Sequence, residues 1–327
     1  MPPMRNRNGQ RIKMTKGFKH VYGPVPSRRL GRSLGIDLVP FKTCTYDCVY
    51  CHLGRTTNKT IERKAYVAVD DVLEELKRKL DAGPAPDYIS LAGSGEPTLN
   101  IHILDCIDKI KRLTRIPVAV LTNGSLLWMT EVQAALMDAD LVIPSLDAGD
   151  EALFRCVNRP HEEISFARML EGIAAFTRRF PGEVWLEVLL LGGVTGIPAE
   201  ARKLASLIRH IQPARVQLNT VCRPPAEDFA FAVSGEQMLA LKHLFPDPVD
   251  IISDNVQKDD HAASPLKPRA VDILALLRRR PCTLEDVADG LGIHITEALK
   301  HIDTLTAAGK VKTVVTGGQR FYVASGE

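Results

Sequence analysis

The sequence predicts an α/β fold, a partial (β/α)6 barrel of the TIM type followed by a small winged helix-turn-helix domain. Short apolar runs alternate six times with longer helical patterns from residue 35 onward, which is typical of parallel βα units. Near the C-terminus, three helical patterns precede a two-strand hairpin signal. Six βα units are too few to close an eight-stranded barrel, so we expect an open one.

The barrel elements follow from the period of the apolar residues. The predicted strands are Gly35–Val39, Tyr88–Ala92, Pro117–Leu121, Leu141–Ser145, Val184–Leu191 and Arg215–Asn219. The predicted helices lie near 69–81, 101–113, 130–138, 163–179, 198–210 and 235–244. Because strands and helices alternate, we expect a parallel sheet with right-handed connections.

The C-terminal pattern is shorter. An amphipathic helix is predicted over Arg269–Arg280. Thr283 and Asp286 resemble a capping box at the start of a second helix that ends at Gly290, and a third helix is predicted over 296–308. The hairpin strands are predicted at Lys312–Val315 and Arg320–Val323, on either side of Gly317 and Gly318. This order of elements predicts the winged helix.

These patterns divide the chain into a basic arm (1–20), the barrel (21–250), a linker (251–266) and the winged helix (267–327). Residues 1–34 contain nine Lys or Arg and no acidic residue, which leaves the rest of the chain at a formal charge of −6. This asymmetry is compatible with a polyanionic partner such as nucleic acid, and equally with a solvated tail.

The composition, 45% hydrophobic and 25% charged, is that of an ordinary globular protein. No stretch approaches the ~20 apolar residues of a membrane span. No apolar run follows the basic N-terminus, so a secretory signal is not predicted and we expect a cytoplasmic protein without a membrane partner. Seven cysteines without such a signal argue against a disulfide framework. Cys106 and Cys282 are expected to pack as small apolar residues.

Three cysteines are clustered after the first predicted strand: Cys44, Cys48 and Cys51, with the spacing C-x3-C-x2-C. The carboxyl ends of barrel strands are where active sites of such folds lie. Three thiolates within eight residues are suited to an iron–sulfur cluster and leave one of its four irons open. Zinc bound by the three thiolates and His52, or a metal-free group of thiols, are the alternatives.

The loop C-x3-C-x-aromatic-C, with Tyr50 at the aromatic position, resembles the signature of the radical S-adenosylmethionine (SAM) superfamily. The resemblance implies an enzyme with a [4Fe–4S] cluster bound by Cys44, Cys48 and Cys51. It implies that the open iron chelates SAM, and that one electron cleaves the sulfonium to release methionine and a 5′-deoxyadenosyl radical. It also implies a reducing partner such as flavodoxin or ferredoxin.

The same resemblance implies that polar groups at the ends of the later strands contact SAM. The residues expected there are Tyr50, Gly93, Ser94, Gly95, Glu96, Asn123, Ser145, Asp147, Glu187 and Asn219. Glycine is expected where a side chain would block the close approach of the backbone to the ligand. Taken singly, several of these residues are equally typical of turns, caps and satisfied strand carboxylates.

Residues 20–245 more narrowly resemble iron–sulfur oxidoreductases related to wyosine-type tRNA synthases, through segments such as GSGEPTLN and PSLDAGDEALF. The extra cysteines of a second cluster are not matched. The leading hypothesis is an enzyme that modifies a base in RNA, with transfer RNA as the expected substrate and with the basic arm and the winged helix as the expected RNA contacts. Arg159 and His161 are candidates for substrate contact, and Lys310, Lys312 and Arg320 for phosphate contact.

Two alternatives remain open. The first is a radical SAM enzyme acting on a peptide, a protein or a small metabolite, with the winged helix recruiting a protein. The second is an iron–sulfur redox sensor that binds DNA through its C-terminal domain. Residues 265–327 carry a net charge of only +2, which is weak for a nucleic-acid footprint.

Overall fold

Seven parallel strands and one antiparallel edge strand form the central sheet of the computed structural model, which describes residues 18–252, 270–291 and 293–325. In chain order the strands of this region are β1 (Val21–Ser27), β2 (Gly31–Ile36), β3 (Thr43–Cys44), β4 (Asn58–Lys59), β5 (Tyr88–Leu91), β6 (Val118–Thr122), β7 (Leu141–Pro144), β8 (Glu183–Leu190), β9 (Arg215–Thr220) and β10 (Val249–Ile251). Their spatial order in the sheet is β1-β2-β5-β6-β7-β8-β9-β10, and β3 and β4 form a separate short ladder. The predicted arm (1–20) and linker (251–266) lie largely outside the described residues.

Helices connect the parallel strands and cover one face of the sheet. They are α1 (Val69–Ala82), α2 (Ile103–Leu113), α3 (Thr130–Leu136), α4 (Glu151–Val157), α5 (Phe166–Arg179), α6 (Pro198–Ile211) and α7 (Gly235–Lys242). Helix α2 shows why they form, because Ile103, Cys106, Ile107 and Ile110 repeat at helical spacing and are all fully buried. Burial of each large apolar side chain contributes about 1.5–3 kcal/mol. None of the helices in the described ranges is both long and apolar enough to cross a bilayer.

All six predicted barrel strands are present, but the predicted count of six parallel strands is one too low. Strand β10 was missed because its three residues are too short to show a period, although Val249–Ile251 pairs in parallel with β9. Strand β1 was missed because two prolines and a glycine interrupt it, and it pairs antiparallel with β2. The sheet is therefore open, with β1 and β10 at its edges.

Alternation along the strands separates the core from the interior of the barrel. In β8, the even-numbered residues Val184, Leu186, Val188 and Leu190 are buried against the helices. The odd-numbered residues Trp185, Glu187 and Leu189 are only half-buried. A small apolar cluster closes the interior near the amino ends of the strands, and it contains Leu30, Ala119, Leu141 and Ile143. Polar residues are thus left nearer the carboxyl ends.

The C-terminal unit has the predicted order of elements and a core of its own. It consists of α8 (Ala270–Arg279), α9 (Leu284–Leu291), α10 (Ile295–Ala307), β11 (Val311–Thr316) and β12 (Gln319–Ala324). The capping interaction at α9 is confirmed, because the amides of Thr283 and Asp286 each donate to the other residue's side chain over 3.1 Å. Cys106 and Cys282 are both fully buried, as expected of small apolar residues.

Two charge pairs are among the contacts between the C-terminal unit and the barrel. Arg223, after β9, donates to Asp286 over 2.6 Å and to the carbonyl of Pro281 over 2.7 Å. Arg279, at the end of α8, donates to Asp37 over 3.1 Å. These pairs place the end of α8 and the start of α9 beside the carboxyl ends of the barrel strands.

Candidate active site

The cysteine loop lies between the segment after β5 and the end of α4. On one side, the amide of Glu96 donates to the carbonyl of Thr43 over 3.1 Å. On the other side, the amide of Val49 donates to the carbonyl of Val157 over 2.9 Å. Because β3 contains Cys44 and is fixed in this way, the loop is held at the carboxyl ends of the strands, where the sequence predicted it.

Each cysteine sulfur in the loop lies within 3.4–3.6 Å of a different side-chain nitrogen, and all three cysteines are free thiols. The pairs of donor and acceptor are Asn123 Nδ2 with Cys44 Sγ, Asn158 Nδ2 with Cys48 Sγ, and Lys42 Nζ with Cys51 Sγ. Hydrogen bonds of this kind favour thiolate and sulfide charge around an iron–sulfur cluster. Asn123 was among the residues expected near SAM, whereas the sequence did not predict Lys42 and Asn158 as donors, since nothing in their spacing marks them.

The donor set fits an iron–sulfur cluster. Burial, followed by the charges of neighbouring groups, raises the pKa of Cys44 to about 12 and that of Cys48 well above its usual value. A bound cation offsets this cost, because coordination deprotonates a thiol outright. In the part of the chain that the structure describes, no three His, Cys, Asp or Glu side chains are grouped to hold a single metal ion.

The Asp147 carboxylate joins the cysteine loop to the end of α4 and to β8. Its Oδ2 accepts from the Tyr50 hydroxyl at 2.5 Å and from Asn158 Nδ2 at 2.8 Å, and its Oδ1 accepts from the amide of Leu189 at 3.0 Å. Burial raises the pKa of Asp147 to about 6 although these hydrogen bonds oppose the shift. Asp147 and Tyr50, both expected to contact SAM, are hydrogen-bonded to each other, and their contact with SAM stays a prediction.

The glycine-rich segment after β5 packs closely on the cysteine loop. Gly93 has φ +110°, and a Cβ there would lie 2.0 Å from Asp37 Oδ1. A Cβ on Gly95 would lie 1.8 Å from the carbonyl oxygen of Thr43. Between them, the amide of Ser94 donates to Asp37 over 2.8 Å. Glycine is therefore required here by contacts within the protein, and not only by the approach of a ligand as the sequence suggested.

Glu96 joins the glycine-rich segment to the end of β6. Its Oε1 accepts from the hydroxyls of Thr98 at 2.6 Å and Thr122 at 2.7 Å, and its Oε2 accepts from the amide of Asn123 at 2.8 Å. Burial raises the pKa of this carboxyl, and the hydrogen bonds oppose that shift. The network fixes Asn123, whose side-chain Nδ2 also donates to the hydroxyl of Thr45 over 2.7 Å.

Glu187 lies in the interior of the barrel and is paired with Arg29. The two side chains form two parallel hydrogen bonds of 2.6 Å, and Asn219 Nδ2 donates to the same carboxylate over 2.9 Å. Although burial opposes it, the charge of Arg29 holds the pKa of Glu187 below its usual range. Ser145 forms a bridge to the backbone of Glu187. The expected residues Ser145, Glu187 and Asn219 are therefore neighbours.

Arg159 and His161 lie beside the cysteine loop. Arg159 Nη1 is 2.6 Å from Glu227 Oε1, and Arg55 pairs with the same oxygen at 2.5 Å. The amide of His161 donates to the carbonyl of Thr45 over 2.8 Å. Arg159 is thus paired with a carboxylate of the protein, and its contact with substrate stays a prediction.

Several cations surround His52, next to Cys51. Desolvation by the surrounding protein, and then the charges of Arg223, Arg280, Lys42 and Arg28, lower the pKa of His52 to about 3. Two of these residues, Arg223 and Arg280, belong to contacts between the barrel and the C-terminal unit, and the sequence did not predict them.

Comparison with known proteins agrees with this geometry. The model of the radical SAM superfamily matches residues 38–205, just over half of the chain. The chain is 34% identical to a UPF0026 protein of Helicobacter pylori, over 93% of this chain and 97% of that one. It is 38% identical to a protein of Brachyspira hyodysenteriae named GTPase Obg, over 99% of this chain, and it spans about half the length of that relative.

A more distant relative and a solved structure are also similar to this chain. A dual-specificity RNA methyltransferase RlmN of Caulobacter is 30% identical over 67% of this chain and 55% of its own length. The fold is similar to that of SuiB from Streptococcus suis, with a TM-score of 0.52, 12% identity, and coverage of 74% of this chain and 55% of that one. This chain therefore belongs to the radical SAM superfamily and to the UPF0026 proteins, and it is an enzyme whose cofactors are a [4Fe–4S] cluster and SAM.

Proposed function

We propose that this radical SAM enzyme modifies a base in RNA, with transfer RNA as the first substrate to test. The carrying observation is the set of three thiols, each met by a nitrogen donor, at the carboxyl ends of an open parallel sheet. The RNA substrate is supported by the relation to the RNA methyltransferase RlmN. The narrower relation to wyosine-type tRNA synthases belongs to the same proposal.

In this proposal Cys44, Cys48 and Cys51 hold the cluster, and the segment from Gly93 to Glu96 contacts SAM. When bound, the cluster would supply the electron that cleaves SAM. A reducing partner of the flavodoxin or ferredoxin class would supply that electron to the cluster. Asp147 acts as a positioning residue, because its oxygens are taken up by Tyr50, Asn158 and Leu189. The half-buried interior beside Glu187 and Asn219 is the space for SAM and the target base.

The C-terminal unit is proposed to be a winged helix-turn-helix domain. In support, three helices precede the hairpin of β11 and β12, and Cys282 forms an isolated antiparallel bridge to Tyr322 of that hairpin. Lys310, Lys312 and Arg320 on the hairpin are proposed phosphate contacts. Helix α10 exposes Ile295 and Leu299, an apolar surface that does not favour a phosphate backbone.

The test is a comparison of modified nucleosides in RNA from cells with and without the gene, followed by reconstitution with purified protein. We expect one modified nucleoside to be lost with the gene and restored by the enzyme in vitro. An unchanged nucleoside profile, together with no binding of RNA by the reconstituted protein, would exclude RNA. A peptide, protein or small-metabolite substrate would then be the alternative.

A further inference from the structure

A basic cavity lies at the junction between the cysteine loop and the C-terminal unit. Its volume is about 450 Å³. The cysteine loop contributes Phe41 and His52, and the end of α8 contributes Arg278, Arg279 and Arg280. No acidic residue is among the residues that line it. The cavity therefore presents positive charge next to the residue that follows Cys51.

Arg280 carries two guanidinium nitrogens that have no acceptor among the described residues. Its Nε and Nη2 are buried and make no hydrogen bond within the described part of the chain. Its acidic neighbour Asp286 is already paired with Arg223 at 2.6 Å, and Arg279 is paired with Asp37 at 3.1 Å. Buried guanidinium donors without acceptors are costly, so a ligand that supplies anionic oxygens would stabilise them.

The cavity also offers an aromatic surface. Phe41 lines the cavity, and this residue is 53% exposed to solvent. An exposed aromatic ring beside a guanidinium is the combination with which proteins bind single-stranded nucleic acid, because the ring stacks on a base while the cation binds the backbone. A free inorganic anion would leave the aromatic ring unused.

We propose that this cavity binds one phosphodiester of a single-stranded RNA segment, with Arg280 as the phosphate ligand and Phe41 as the stacking surface for an adjacent base. The inference rests on the proposed function and deepens it. It means that the C-terminal unit takes part in the substrate site through the end of α8, next to the cysteine loop, and not only through α10 or the hairpin.

The test measures binding of the full-length, cluster-loaded protein to a short fluorescein-labelled oligoribonucleotide of mixed sequence, by anisotropy over a range of salt concentrations. We expect Arg280→Ala to weaken binding about tenfold and to reduce the slope of log Kd against log salt by about 0.7, the value for one lost phosphate contact on a single strand. Arg202→Ala, which removes the same charge from an exposed position on α6, should change neither quantity.

Two further probes make the test specific. Arg280→Lys should restore the salt slope but only part of the affinity, since lysine keeps the charge and loses the planar fork. Phe41→Ala should weaken binding without changing the salt slope. An oligonucleotide whose phosphodiesters are replaced by uncharged methylphosphonates should bind wild-type and Arg280→Ala proteins equally.

The outcomes separate the two proposals. If wild-type protein binds the oligoribonucleotide and Arg280→Ala behaves like Arg202→Ala, the cavity is not a phosphate site and the inference is overturned, while the RNA substrate stands. If wild-type protein binds no oligoribonucleotide at any salt concentration, the inference is overturned, and an unchanged nucleoside profile in addition would end the proposed function.

Discussion

Arg279 Nε lies 3.1 Å from Asp37 Oδ2, and the other oxygen of Asp37 accepts the amide of Ser94 at 2.8 Å. One carboxylate therefore connects the C-terminal unit to the glycine-rich segment that is proposed to contact SAM. Arg279 also donates to the carbonyl of Lys19 over 2.9 Å and lies over the ring of Tyr22. The geometry of the glycine-rich segment thus depends on the contact between α8 and Asp37.

The first prediction concerns that connection. Arg279→Ala should weaken SAM binding by the cluster-loaded protein about tenfold, which corresponds to about 1.4 kcal/mol, because the Asp37 carboxylate loses its charged partner. Calorimetric titration with SAM measures this, with Arg202→Ala as the control and iron content checked in both. An unchanged affinity for SAM in Arg279→Ala would show that α8 does not position the segment.

The second prediction concerns the cluster's reduction potential. Lys42 Nζ lies 3.4 Å from Cys51 Sγ, and a positive charge beside the cluster favours the reduced, more negative state. Lys42→Met should lower the potential by on the order of 60 mV, the equivalent of about 1.4 kcal/mol for one electron. A redox titration followed by electron paramagnetic resonance gives the value. Lys77→Met, at an exposed position on α1, should leave it unchanged, and a potential equal to wild type in Lys42→Met contradicts the assignment.

The third prediction concerns acid sensitivity. Although burial opposes it, Arg223 holds the pKa of Asp286 below its usual value. The contribution of this pair to stability is therefore present above the unfolded-state pKa of about 3.9, and it is lost as pH falls through the lower folded-state value. Near pH 7, Asp286→Asn should lower the free energy of unfolding by about 2 kcal/mol.

Urea unfolding at several pH values measures this difference. It should shrink toward zero as pH falls through the lowered folded-state pKa of Asp286, because the wild-type carboxylate is then protonated as well. Asp303→Asn, at an exposed position on α10, is the matched control and should be neutral at every pH. If the free energies of unfolding of Asp286→Asn and wild type still differed at low pH, the pair with Arg223 would not be the source of the difference.

The fourth prediction concerns the support behind the cysteine loop. Tyr50→Phe removes the hydroxyl that donates to Asp147, so the loop should hold its cluster less firmly. We expect iron to be lost to a chelator about tenfold faster, in line with one hydrogen bond to a charged group. Tyr66→Phe, which removes a hydroxyl bonded to the carbonyl of Glu62, should lose iron at the wild-type rate. Equal rates in the two variants would refute a supporting role for Tyr50.

The elements that the sequence predicted well are those with a clear period. Helix α2 repeats its apolar residues at helical spacing, and strand β6 is a short, mostly apolar run, so both were located to within a few residues. Strand β10 is too short for any period, and β1 is interrupted by prolines. Spacing along the chain located the cysteine loop, because three ligands within eight residues form a local motif.

The contacts that the sequence did not predict join residues far apart in the chain. Arg29 and Glu187 are 158 positions apart, and Asp37 and Arg279 are 242 apart. Their pairing depends on how strands and domains pack, and a residue type alone does not reveal its partner. For the same reason the sequence did not predict the hydrogen bond between Asp147 and Tyr50, which are 97 positions apart.

The most direct test of the central claim is the release of 5′-deoxyadenosine from SAM by protein reconstituted with iron and sulfide under anaerobic, reducing conditions. The account predicts product from wild-type protein and from Cys156→Ala, which alters an exposed cysteine in α4, and none from Cys48→Ala. Product from Cys48→Ala at the wild-type rate, or zinc in place of iron at the three thiols, would contradict it.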